Sequence, residues 1–373
     1  MAQKQIWSSV GEFVTEGTML AVALHFPGQS VPPPAGETAI ACMQHDPAGG
    51  LYCGTAGSKA HLLAALLRGD TGVVFDLGSA PGAASIDAIA VGDEHVCALA
   101  SGPDGAALWR WPRFARNFLI QEWTLSRHAP EKVCDLFSGA RVAGAAAAPD
   151  GTAIYGITDP PGELFRLDAT SWAATILCKV DGERRFGRCI ALDRSGRVWG
   201  TRGPGTIWRC DPHTGRIDDV AAIPAAAGRA QHTQASAWAL DEATGRLYGG
   251  TTPDGFLFHL DPETAQATAL GKPTRLEEVN CLTVGRDGRV FGACGLEEDI
   301  GHLFCYEPDR GALRDLGIPV STLAARQYGY HFRCMLTGRD GEIYLGQHER
   351  ISHLWIYFPP VPRRAAPAPR SPA

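Results

Sequence analysis

GRLYGGTTPDGFLFHLDPET, residues 245–264, decides the fold because the chain repeats it. Residues 196–214 read GRVWGTRGPGTIWRCDPHT, and residues 288–309 read GRVFGACGLEEDIGHLFCYEPD. Each copy holds a short β-branched and aromatic run, a glycine-rich turn, a second such run, and an Asp-Pro or Glu-Pro turn. Runs of this composition between turn residues read as strands. Proline closes them because its fixed φ suits the second position of a tight turn.

Followed outward, the core of the pattern occurs seven times: LYCGT at 51, VCALA at 96, IYGIT at 154, VWGTR at 198, LYGGT at 247, VFGAC at 290 and IYLGQ at 343. An apolar or small-residue strand precedes each core, and a third strand follows, from AHLLAAL to SHLWIYF. After most comes a fourth, such as VVFDLG, ATALG or LRDLG. The steps between cores are 45, 58, 44, 49, 43 and 53 residues. Four short strands per unit at that period mark a propeller blade, and no long segment shows the 3.6-residue period of a helical solenoid. The expected fold is therefore all-β: a seven-bladed β-propeller with four antiparallel strands per blade. The glycines after each second strand are read as turn formers at positive φ. The longest step is accounted for by an insertion, RFARNFLIQEWTLSRHAPEK (113–132).

The seventh unit lacks its fourth strand, and an unfilled edge would invite aberrant pairing. An N-terminal strand, from KQIWSSV (4–10) or MLAVALHF (19–26), is expected to complete it. Residues 1–360 then form a single domain. Residues 361–373, rich in Pro, Ala and Arg, read as a disordered tail.

Composition narrows the function. The chain is 45% hydrophobic, as a sizeable core requires, and its net charge of −6 comes without the basic stripe that nucleic-acid binding needs. The start, MAQKQIWSSVGEF, lacks the pattern of a secretory signal, and MLAVALHF is too short to span a bilayer. A cytoplasmic protein that binds neither nucleic acid nor membrane is expected. Eleven cysteines, an odd number with no CxxC pair, fall mostly in or beside predicted strands and read as reduced thiols. No HExxH, P-loop, GxSxG elbow or dinucleotide fingerprint is present. No metal site is assigned. The Leu296–Asp299 loop could offer oxygen ligands to Ca²⁺, with a solvated acidic loop as the competing reading.

The turns on one face (RSG, EATG, GRDG and the Asp-Pro turns) are short and repetitive, so individuality on the opposite face carries the functional signal. Aligned on their shared end, the inner strands place Arg188, Ser236, Asn280 and Arg333 at one equivalent position, where the first and third units carry Ile40 and Gly144. Two residues earlier stand Phe186, Gln234, Glu278 and His331. Nearby loops add Arg229, His232, Tyr328, Tyr330, Arg202, His348 and Arg350. Arginine forks recognise carboxylates, and histidine or tyrosine moves protons within hydrogen-bond reach. Arg188, Arg333, Asn280, Glu278, Arg202, His348 and Arg350 are the candidate substrate-binding residues. His331, His232 and Tyr330 are the candidate proton-transfer residues. Any one arginine could equally serve only to pair with a neighbouring acid. His61, His302 and His353 open third strands at a repeated position and read as fold elements.

The pattern G-[RE]-[LVI]-[YWF]-G followed by [GS]-H-L-[FW], with the ending GEIYLGQHERISHLWIYFPP, resembles seven-bladed bacterial and fungal propellers. It looks most like the carbohydrate-active group of ulvan lyases, rhamnose–glucuronate lyases and related rhamnosidases. That resemblance implies β-elimination at a uronic acid, carried out by His, Tyr and Arg at the ring mouth. The partner expected is an anionic oligosaccharide or another small carboxylate. The alternative is a non-catalytic propeller that binds a ligand or a protein partner.

Overall fold

The computed structural model describes residues 14, 16–24, 33–47, 49–68, 71–113, 129–148, 151–180, 186–203, 205–224, 234–296, 299–321 and 327–360. Over these residues all regular structure is β. Five discrete four-stranded antiparallel sheets are present. Their inner strands are Arg141–Ala147, Phe186–Leu192, Gln234–Leu240, Val279–Val284 and Phe332–Thr337. In the first four, each sheet is built outward from consecutive segments. In the fifth, Phe332–Thr337, Ile343–Gln347 and His353–Phe358 are joined at the outer edge by Thr18–Ala23, which pairs with His353–Phe358 from Thr18↔Phe358 to Ala23↔His353. Residues 4–10 lie outside the described residues, as do 114–128 of the insertion and the tail from 361.

The expectation of seven separate four-stranded blades is corrected. The eight strands from Ala39–His45 to Glu131–Ser138 form one eight-stranded sheet. The join is a single register pair, Ala56↔Ser85, between the end of one second strand and the start of the next inner strand. Its cause is the short connection of residues 81–84 after the long strand Thr71–Ala80. The Gly57 and Ala60 amides bond to the Ala84 and Ala83 carbonyls, drawing that connection against the Ala56 end.

Inner strands pack side by side in a closed cycle, with Phe332–Thr337 against Ala39–His45 as well as against Val279–Val284. The core lies between neighbouring sheets, where Trp199, Trp208, Trp355 and Tyr248 are fully buried. The glycines of the second strands serve this packing. A Cβ on Gly250 would lie 2.3 Å from Val279 of the next inner strand, and one on Gly346 would lie 2.7 Å from Ile40. Gly200 and Gly249 likewise make room for the rings of Trp208 and Phe258 on the third strands. None of these four has a positive φ, and their place is close approach between sheets; the glycines that follow the second strands, among them Gly162, Gly205, Gly255 and Gly295, do have positive φ, as the turn reading expects. The repetitive turns are held by aspartates. Asp193 accepts from the Ser195 and Arg197 amides and from the Trp199 indole at 2.8 Å.

Candidate functional site

Six inner strands share a defect. Each pairs regularly with its second strand except for one extra residue: Ala41, Asp87, Ala143, Ser236, Asn280 and Arg333 are skipped in the ladders. The residue before each (Ile40, Ile86, Val142, Ala235, Val279 or Phe332) is buried between sheets. A β-bulge re-aims the extra side chain, and all six skipped residues line one central cavity of about 550 Å³. A longer register shift, between Phe186 and Ile190, contains Arg188. Its backbone is in the strand, and its side chain lies outside the described residues.

The bulges also account for several cysteines. Cys42 and Cys189 donate S–H bonds to the carbonyls of Ile86 and Ala235, each the residue preceding the next strand's bulge. The Ser236 hydroxyl does the same for Val279, at 2.7 Å. Burial pushes the Cys189 thiol up to about 12 and holds Cys42 higher still. These are inert hydrogen-bonding thiols. All eleven cysteines are free.

The cavity is chemically lopsided. Glu278, Asn280, His331 and Arg333 cluster on two adjacent inner strands, while on the other side Asp87 stands between the small residues Ala41, Ala143 and Gly144 of its two neighbouring strands. Arg333 is exposed and forms no ion pair among the described residues. Asp87 accepts from Ser101 at 2.5 Å. Burial raises its pKa to about 6 against the pull of Ser101, Ser85, Arg333 and Arg141. Asn280 is 8% exposed and donates to the Gly295 carbonyl at 2.6 Å. Its own amide oxygen is buried and has no hydrogen-bond partner among the described residues. Glu278 holds a left-handed φ of 55°. Of the three non-glycine residues with positive φ, it alone lines the cavity.

His348 stands behind His331. The rings meet edge to face at 5.8 Å, and the His348 amide donates to the His331 carbonyl at 2.8 Å. The His331 amide donates in turn to Glu349 at 3.0 Å. Burial, then the charge of Arg333, then His331, lower the His348 pKa to about 4. That ring is neutral at physiological pH, a requirement for a base.

Of the residues singled out in the sequence, His331, Arg333, Asn280 and Glu278 come together at the cavity, with His348 adjoining. Tyr330 is 38% exposed at the rim and does not line it. Arg202 is turned to its own sheet, where it pairs with Asp219 and donates to the Val180 carbonyl at 2.8 Å. Arg350 is exposed, and its carbonyl accepts from Gly36 and Thr38 across the ring. His232 and Arg229 lie outside the described residues. The alignment that put Ile40 and Gly144 at the channel position is off by one; Ala41 and Ala143 stand there. Asp87, in the second unit, was not among the aligned positions. Anchoring each strand on its buried pre-bulge residue would have found it. No cluster of three or more metal-ligating side chains occurs among the described residues, and Glu297 and Glu298 of the Ca²⁺ candidate loop lie outside them.

No protein-family model matches the chain, and no curated protein matches it in sequence. Solved structures do resemble it. The chain is similar to the extracellular domain of a hybrid two-component system from B. thetaiotaomicron, with 12% identity and a TM-score of 0.59 over 91% of this chain; it spans 39% of that one. It is also similar to virginiamycin B lyase from Staphylococcus aureus, solved as a catalytically inactive histidine-to-alanine variant with quinupristin. There the identity is 11% and the TM-score 0.62, over 91% of this chain and all of that one. A puromycin hydrolase is similar at 17% identity and a TM-score of 0.51, over 97% of this chain and 60% of that one. None of these is an ulvan or rhamnose–glucuronate lyase. What the likenesses support is that the chain is a β-propeller.

Proposed function

We propose that the central cavity binds a small organic carboxylate, a uronic-acid-containing oligosaccharide, and that the protein cleaves it by β-elimination. The observation that carries this reading is Arg333: a guanidinium turned into the cavity by a bulge, beside His331 and near a neutral His348. In this reading Arg333 pairs with the uronate carboxylate and stabilises the charge that develops when the α-proton leaves. His331, which lines the cavity, takes the C5 proton, the electron pair forms the C4–C5 double bond, and the imidazolium so formed returns a proton to the departing O4. The likeness to virginiamycin B lyase, a propeller inactivated by loss of one histidine, supports histidine-dependent elimination on this scaffold.

The test is incubation with a panel of uronic-acid oligosaccharides while ultraviolet absorbance from unsaturated product is followed. Arg333→Ala should weaken substrate affinity roughly ten- to a hundredfold, the effect of losing a charged hydrogen bond. His331→Gln should lower kcat with little change in affinity. A second reading is a ligand-binding platform without turnover, supported by the likeness to a sensor extracellular domain. Calorimetric binding of a uronate with no unsaturated product would establish it. Absence of both binding and product would overturn the carboxylate site itself.

A further inference from the structure

Outside the cavity, one pair of cysteines differs from the rest. Cys178, on the outer strand Ala174–Lys179, and Cys210, on the third strand Thr206–Asp211 of the neighbouring sheet, bring their Sγ atoms within 3.7 Å. This is the only thiol–thiol hydrogen-bond contact among the described residues. Cys210 is fully buried, whereas Cys178 is part exposed.

The local build favours movement on one side only. Thr206–Asp211 is hydrogen-bonded on both flanks, but Ala174–Lys179 is a sheet edge. Leu164 pairs with Cys178 and Phe165 with Ile176, so Leu177 is the extra residue of a bulge beside the thiol. The two sheets meet closely here because Gly215 lacks a side chain; a Cβ on it would lie 2.6 Å from the Leu177 carbonyl. The contact between the two sulfurs, in which either thiol can donate, lowers the pKa of Cys178 and shifts that of Cys210 up. The exposed sulfur is the nucleophile and the buried one the resolving thiol.

We infer that Cys178 and Cys210 form a thiol–disulfide exchange site for small-molecule disulfides, closing into a cross-link between adjacent sheets. The Cys178 thiolate attacks one sulfur of the disulfide, breaking its S–S bond and releasing one thiolate. The Cys210 sulfur then attacks Cys178 Sγ, expelling the second. The protein dithiol is oxidised by two electrons, the small disulfide is reduced to two thiols, and the two cysteine protons pass to those thiols. A closure from 3.7 Å to a bond of about 2.05 Å falls to the edge strand.

Oxidised glutathione is the probe, added to the full chain at mildly alkaline pH. Thiols are then counted after denaturation, and disulfide-linked peptides are mapped by mass spectrometry. Two of the eleven thiols should disappear, and the linked peptides should contain Cys178 and Cys210. Cys210→Ser should hold a mixed disulfide on Cys178, and Cys178→Ser should form neither product. Retention of all eleven thiols, a bridge mapped to other cysteines, or a glutathione adduct on wild-type Cys178 that is never displaced would overturn the proposal.

Discussion

Arg333, Asn280 and Asp87 reach the cavity for one reason, that each is the extra residue of a bulge. In a regular strand, side chains alternate between faces; one added residue places a polar group where the alternation would put its apolar neighbour. Arg333 and Asn280 were legible in the sequence as polar residues inside apolar strands. Asp87 was not, because the run SIDAIAV does not by itself say that its one acidic residue is the bulged one. Glu278 shows a different residue-scale constraint, a φ of 55° that a side chain disfavours. Left-handed backbone costs a non-glycine residue about 1–2 kcal/mol. Glu278→Gly should therefore be more stable than Glu278→Ala by about 1 kcal/mol, read as a difference in urea midpoint. Equal midpoints would mean that the left-handed conformation is not held in solution.

At the scale of strands and sheets, packing between neighbours decides what the repeat means. The strands themselves were legible, since runs such as LYGGT and FLFHLD are aliphatic and aromatic and are bounded by turn residues. The merged sheet was not, because one pair, Ala56↔Ser85, depends on how residues 81–84 fold back. The role of the second-strand glycines was hidden too, since composition does not say what a missing Cβ leaves room for. Gly250→Ala should drive a methyl into Val279 and cost on the order of 1–3 kcal/mol, as overpacking does, with the loss visible in thermal melts. The N-terminal strand makes a second test. Met19 and Leu20 are buried against sheet neighbours. Full burial of such a side chain is worth roughly 1.5–3 kcal/mol. Removing residues 1–24 should lower the melting temperature and, by baring the edge of His353–Phe358, promote association detectable by light scattering. A truncated chain that melts like the full one would show that Thr18–Ala23 contributes nothing to the ring.

Across the whole molecule, two half-buried groups in and beside the cavity respond to pH in opposite senses. Asp87 has its pKa raised from 3.8 to about 6, so the folded state keeps a proton that the unfolded chain has lost. Its stabilisation is complete below pH 3.8 and is lost as pH rises through about 6. His348 has its pKa lowered from 6.5 to about 4, so the unfolded chain holds the extra proton. Its stabilisation is present above pH 6.5 and is lost as pH falls through about 4. At about 1.4 kcal/mol per unit, each amounts to about 3 kcal/mol. Between about pH 4 and 6 the two differences in bound protons cancel, and this pair adds no slope to wild-type stability. Single substitutions should unmask them with opposite signs. Asp87→Asn leaves His348 alone, so the unfolding free energy should climb with pH across that window. His348→Gln leaves Asp87 alone, and the same quantity should fall. Arg333 acts on both, holding Asp87 down and His348 down. Arg333→Ala should accordingly raise both pKa values and move the balanced window to higher pH. Urea unfolding at several pH values from 4 to 7, with wild type measured alongside, reads these slopes directly; slopes of the same sign in the two single variants would mean that the cavity groups do not titrate as this geometry requires.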